Sequence, residues 1–212
     1  MSKEQNRAET LEKEFNEFVK IWYESEKNIE LKTVTWDTLD LSKIVLLKSA
    51  LSTVNNIATL KTTELLLKRL TILFQIGNEE NEAIRRTVLS KSASENGFDV
   101  EWSGEITFVA EVKCNIPINE GNEYGSAQKQ GIKNDLKKLR HGNDKSKKKG
   151  MNAKALEKYY KFLGVFCPDD KSREAVRKFH KSPGNQSGTE ILSSSAQMKD
   201  IDTDTVYIVL LK

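Results

Sequence analysis

Apolar residues recur at helical spacing through the first third of the chain. Leu11, Phe15, Phe18, Val19 and Trp22 form one stripe between about Glu9 and Glu26, which predicts an amphipathic helix. Glu30 to Thr35 reads as a short extended piece. Thr38 or Asp40 can cap a second helix through Ile44, Leu47 and Leu51. A third is predicted over Ala58 to Gln75, where Leu60, Leu65, Leu66, Leu67, Leu70, Ile72, Leu73 and Phe74 wrap far around the axis. That breadth implies burial between neighbours or a subunit interface. Gly77 and Asn78 break the pattern, and a helix from about Glu79 to Ser92 turns Ile84, Val88 and Leu89 inward.

From Asn96-Gly97 the period changes to that of strands. Phe98 to Trp102 and Ile106 to Lys113 are separated by a polar break, Ser103-Gly104-Glu105, and together predict a hairpin. Ile116 to Gly125 is rich in turn formers. Ser126 is placed to cap a helix running to about Arg140, with Gln128, Ile132, Asp135, Leu136 and Leu139 toward the sheet and Lys133, Lys137 and Lys138 outward. Gly131 weakens that helix and is expected to permit a close backbone approach. His141-Gly142-Asn143 ends it, and Ala153 to Tyr159 reads as a short helical or irregular link. Tyr160 to Phe166 is a core strand, Lys171 to His180 a helix, Ser182 to Ser195 a loop, and Thr205 to Leu211 a last strand. The order predicts an α/β chain: a mixed β-sheet flanked by helices over residues 77–212, with an N-terminal helical layer over 1–76 of structural or dimerising role. The helix after Lys113 is long enough to cross between parallel strands.

The hairpin concentrates charge where strands are costly places to keep it. Glu111 and Lys113 share a face, while Ala110 and Val112 point the other way. Antiparallel pairing brings the Asp99 region about 5 Å across the ladder from Val109 to Glu111. A wet hairpin face also carries Glu-x-Lys by chance, but the run from Ile106 to Val112 is apolar on both faces, as in an inner strand. Ionised groups there need partners, metal or water. Two carboxylates suit a divalent cation with hard oxygen ligands, magnesium above all, and Lys113 would face the attacking water or a phosphate. Glu101 and Glu105 compete with Asp99 for the first acid. Glu80, one turn before Ile84, can reach toward the hairpin or simply serve the start of its helix. Gln128 and Lys129 fall in the first turn of the helix after the loop, where they can orient water or contact phosphate.

Charge and composition narrow the partners. The net charge is only +3, but Ser126 to Lys154 carries ten Lys or Arg against two Asp, a local charge of +8 over 29 residues. Lys129, Lys133, Lys137, Lys138, Arg140, Lys145, Lys147, Lys148 and Lys149 thus make a candidate phosphate-backbone contact, though a solvated helix face followed by a lysine-rich loop would look similar. Cys114 and Cys167 are the only cysteines and His141 and His180 the only histidines, which excludes a disulfide framework and histidine-rich metal centres. No apolar run approaches the roughly 20 residues that span a bilayer, and the polar N-terminus is unlike a signal segment. A reducing cytoplasm is expected.

With Asp99 on one strand and Glu111-Val112-Lys113 on the next, set in the order helix, hairpin, helix, strand, the segment from Glu79 to Leu211 resembles the PD-(D/E)XK nuclease superfamily, the restriction-endonuclease-like fold. Phe98 stands where that family commonly has proline. The resemblance implies hydrolysis of phosphodiester bonds in double-stranded DNA, with Mg2+ held by Asp99 and Glu111, and Lys113 stabilising the transition state or positioning the nucleophile. It also implies a second-ion or water role for Glu80 and an accessory role for Gln128. It suggests a type II restriction endonuclease acting as a homodimer, with a cognate DNA methyltransferase in the same system. Repair, transposon-associated and other phage-defence nucleases share the pattern. The alternatives are a nucleic-acid-binding or assembly protein that keeps the fold without catalysis, and a helical interaction protein working through the Leu60 to Phe74 surface.

Overall fold

A computed structural model describes residues 41–90, 97–117, 119, 121–142, 150–185 and 187–212. The helix expected over Glu9 to Glu26, the extended piece at Glu30 to Thr35, the cap at Thr38 or Asp40, and Lys145, Lys147, Lys148 and Lys149 lie outside the described residues. The chain divides into two units, 1–58 and 59–212. In the first, residues 41–58 are helical, with Leu41, Val45, Leu51 and Val54 exposed.

The second and third helices expected before Gln75 are one. α1 runs from Leu41 to Phe74 without interruption. The weak helix formers between Leu51 and Ile57 include neither glycine nor proline, so each costs only about 0.5 kcal/mol and nothing forces a stop. α2 (Asn78–Leu89), β1 (Val100–Ser103), β2 (Thr107–Lys113), α3 (Ser126–His141), α4 (Ala153–Leu156), β3 (Tyr160–Phe166), α5 (Asp170–Lys181), β4 (Thr189–Ile191) and β5 (Val206–Leu211) follow. β4 falls within the segment read as a loop. Its partner is β5, with Thr189 opposite Val206 and Ile191 opposite Ile208.

The result is a mixed five-stranded sheet in the order β1-β2-β3-β5-β4, flanked by helices. β1 and β2 are antiparallel and the other neighbours parallel. The period-two alternation of each strand separates two cores. One face carries Val100, Phe108, Ala110, Val112, Phe162 and Val209 against Leu66, Leu70, Leu73 and Phe74 of α1 and Ile84 and Val88 of α2. The other carries Val109, Leu163, Val165 and Ile208 against Ile132, Leu136 and Leu139 of α3 and Ala175, Val176 and Phe179 of α5. The leucine-rich breadth of Leu60 to Phe74 is therefore spent, in the second unit, on covering a sheet face; Ile72 stays exposed.

Gly125, rather than Ser126, caps α3, its backbone N–H donating to Gln128 Oε1 at 2.9 Å. At the other end Gly142 takes φ 67°, a backbone state that glycine enters without strain. Gly131 and Gly164 differ in what a methyl group would meet. A Cβ at Gly131 has nothing within 4 Å, so no close approach explains it, whereas at Gly164 it would lie 3.1 Å from both Leu211 Cδ1 and Leu66 Cδ2. Gly131→Ala is expected to raise stability by about 1 kcal/mol, and Gly164→Ala to lower it by about 1–3 kcal/mol through overpacking. Urea melts of the two variants check both signs.

Candidate active site

The sheet face covered by α3 holds the charged cluster. Val100 pairs with Ala110 at the end of the ladder; Asp99, one residue before β1, lies next to this end, and its Oδ2 accepts from the Val112 backbone N–H at 2.9 Å. The reversal is Gly104-Glu105-Ile106, one residue later than the polar break suggested, with Ser103 paired to Thr107. Glu101 lies opposite Val109, two positions nearer the turn than Asp99, and Glu105 sits in the exposed turn itself. Of the three candidate acids, Asp99 is thus the one beside Glu111.

α3 supplies two further charges from positions three apart. Lys138 Nζ lies 2.5 Å from Glu111 Oε1, and Lys113 Nζ lies 2.8 Å from Asp135 Oδ2. The inward Asp135 is as expected. Lys138 differs: it turns into the cluster, with its side chain only 16% exposed and its ammonium 5.3 Å from the centre of the Phe98 ring. A spacing of three from Asp135 and ten from Gln128 puts it on their flank of the helix, and this was the signal available in the sequence. The outer flank holds Lys133, Lys137, Arg140 and His141, which line a groove with Pro183, Gly184 and Asn185. Arg140 donates there to the Ser187 carbonyl.

Three carboxylates and two ammonium groups therefore share one partly buried region. Glu111 is 5% exposed. Burial, and then the Asp99 carboxylate, pushes its carboxyl up to about 8, against the opposing pull of Lys138. Burial also raises Asp135, and Lys113 only partly offsets it. For Lys113 burial works downward, but Asp135, Glu111 and Asp99 outweigh it and hold the ammonium above its ordinary range. Glu111 Oε1 and Asp135 Oδ2 are buried, and each has an ammonium as its near partner in a site of low dielectric.

The sign of the Glu111 shift fixes a pH dependence. A carboxyl held above its unfolded value favours the fold when protonated, so this contribution is full below about 4.5 and is lost as pH rises through about 8. In metal-free buffer Tm is expected to fall across that window, and Glu111→Gln to flatten the fall; melts at pH steps between about 5 and 9 measure it.

The other candidate residues are placed elsewhere. Glu80 does reach the hairpin, but at its turn end and on the opposite sheet face, where Glu80 Oε1 accepts from Trp102 Nε1 at 3.2 Å. Gln128 is engaged by the backbone on both sides, accepting from Gly125 and donating to the Ile116 carbonyl at 2.7 Å. It clamps the loop after β2 to the start of α3. Lys129 pairs with Glu123 at 2.9 Å. The structure brings together Asp99, Glu111 and Lys113 with Asp135 and Lys138, and leaves Glu80 apart.

All the acidic donors are carboxylate oxygens, the ligand type magnesium prefers, and the cluster carries one more negative than positive charge when ionised. Among the described residues no group of three His, Cys, Asp or Glu side chains is arranged to close on a metal as it stands. Glu111 and Asp135 are in contact with ammonium groups instead. Among the described residues no helix is long and apolar enough to cross a membrane. No protein-family model, curated protein or solved structure matches the chain.

Proposed function

We propose that this chain is a Mg2+-dependent endonuclease of the PD-(D/E)XK kind, hydrolysing phosphodiester bonds of double-stranded DNA in restriction or phage defence. The observation that carries the reading is that Asp99, just before β1 and bound to the Val112 N–H, acts on the Glu111 carboxyl on the sheet face that also bears Lys113. Asp99 and Glu111 are the residues that would hold the ion. Asp99 keeps one carboxylate oxygen for it beyond the one taken by the Val112 N–H. Bound there, magnesium supplies a Lewis acid and lowers the pKa of water.

The chain's own groups do the rest in this reading. Lys113 donates to a non-bridging phosphate oxygen or holds the attacking water, and Asp135 sets the direction of its ammonium. Lys133, Lys137 and Arg140 on the outer flank of α3 contact backbone phosphates, which gives affinity without base readout. Two copies, one for each strand, form the expected assembly. The exposed apolar residues of α1 offer a surface for it, and a cognate methyltransferase is the expected companion of a restriction enzyme.

The ion pairs around Glu111 and Lys113 favour one second reading, a DNA-binding protein of this fold whose charged cluster is structural. Incubation with methylated and unmethylated duplex DNA in Mg2+ or EDTA separates the two. The nuclease cuts only with Mg2+ and loses cutting in Glu111→Gln; the binding protein retains DNA equally in both buffers and never cuts it.

A further inference from the structure

The charge nearest Glu111 is a lysine that the hairpin motif does not include. Lys138 Nζ sits 2.5 Å from Glu111 Oε1 and 5.3 Å from the centre of the Phe98 ring. Magnesium binds carboxylate oxygen at about 2.0–2.1 Å. An ammonium at 2.5 Å therefore occupies the space a cation would take on that oxygen. Glu111 Oε1 is buried, and the Lys138 ammonium is the cation closest to it. The same helix stripe carries Asp135, which engages Lys113, so a loss of Lys138 from Glu111 leaves the Lys113 pair intact.

Resting on the nuclease reading above, we propose that Lys138 is a resident counterion of the metal site. It fills the cation position beside Glu111 in the metal-free protein and must be displaced when a divalent cation binds. Three carboxylates against two ammonium groups leave the cluster one charge negative when all are ionised. A dication added without displacement would put three positive centres around Glu111, Asp99 and Asp135, two of them competing for the same oxygen. Displacement removes that repulsion and frees the Lys138 ammonium within the acid cluster, where the phosphate brought to the metal can take it. The site thus keeps a cation beside Glu111 before the metal arrives and acquires a phosphate-binding group when it is filled.

The test reads cation binding directly, without DNA. Mn2+ titrations by calorimetry compare the wild type with Lys138→Met, Lys138→Gln and, as a charge-matched control, the exposed Lys171→Met. Both Lys138 variants are expected to bind Mn2+ about tenfold more tightly than wild type, since a cation that close to the bound ion is removed. Lys171→Met should bind as wild type does. In the unmodified protein, amine labelling of Lys138 followed by mass spectrometry is expected to rise severalfold in saturating Mn2+ relative to EDTA, a readout independent of how the variants fold. Unchanged or weaker affinity in folded Lys138 variants, or unchanged or reduced Lys138 labelling while the wild type binds Mn2+, overturns the counterion role and leaves the nuclease reading standing. Absence of Mn2+ binding in wild type and variants alike overturns both.

Discussion

Lys113→Ala is expected to lower Mg2+-dependent cleavage of duplex DNA by about 10²- to 10³-fold, the usual loss when one donor to a developing oxyanion is removed. Binding to the same duplex in EDTA should change little, because the outer lysines and Arg140 of α3 remain. The substitution also leaves Asp135 without its ammonium partner at 2.8 Å. That carboxyl already sits above its ordinary range through burial, so it can take up a proton instead of remaining as a buried unpaired charge. A modest fall in Tm, with cooperative melting retained, is the expected companion, and single-turnover cleavage at matched folded concentration separates chemistry from stability. Asp135→Asn keeps the ammonium but loosens its aim, and should cost about tenfold in kcat with KM nearly unchanged. If Lys113→Ala cuts at the wild-type rate, Lys113 has no part in the reaction.

Phe74→Ala is expected to be the most damaging of the simple packing changes. The ring is 5% exposed and lies 5.8 Å from Phe108, 5.2 Å from Tyr160 and 5.8 Å from Phe162, centroid to centroid. Truncating such a residue costs about 3–5 kcal/mol, a large share of the roughly 5–15 kcal/mol that holds a typical domain together. For a domain of this size that is a fall in Tm of roughly 10 °C. Denaturant melts monitored by circular dichroism measure it. A loss below about 1 kcal/mol would mean that the last turn of α1 does not anchor the helix to the sheet.

The sequence made the centre of this arrangement legible and its surroundings less so. Period-two alternation alone puts Glu111 and Lys113 on one face, and a short polar break between two strands brings Asp99 alongside; both are local properties of the chain. Asp135 was readable as inward for the same kind of reason. Lys138 was not, because a helix beside a sheet has three sorts of flank and a lysine is ordinarily assigned to solvent. Only the carboxylate waiting on a different element decides its direction. β4 is not legible because three residues in a Ser- and Gly-rich stretch carry no pattern of their own; pairing with β5 makes them a strand. Glu80 looked suitable from spacing along its own helix, but spacing cannot say which side of a sheet that helix covers, and α2 covers the side away from Glu111.

α3 carries three separate duties on three adjoining strips of one cylinder: Asp135 and Lys138 toward the acids, Ile132, Leu136 and Leu139 into the core, and Lys133, Lys137 and Arg140 along the outer groove. An insertion or deletion of a single residue near its middle would swing everything downstream by about 100°. Hydrophobic burial would then compel a compromise in which at least one strip is lost. The helix is therefore expected to tolerate point replacements on its solvent side while resisting any change in length, and scanning it with one-residue insertions should abolish folding and, with it, the proposed DNA contact.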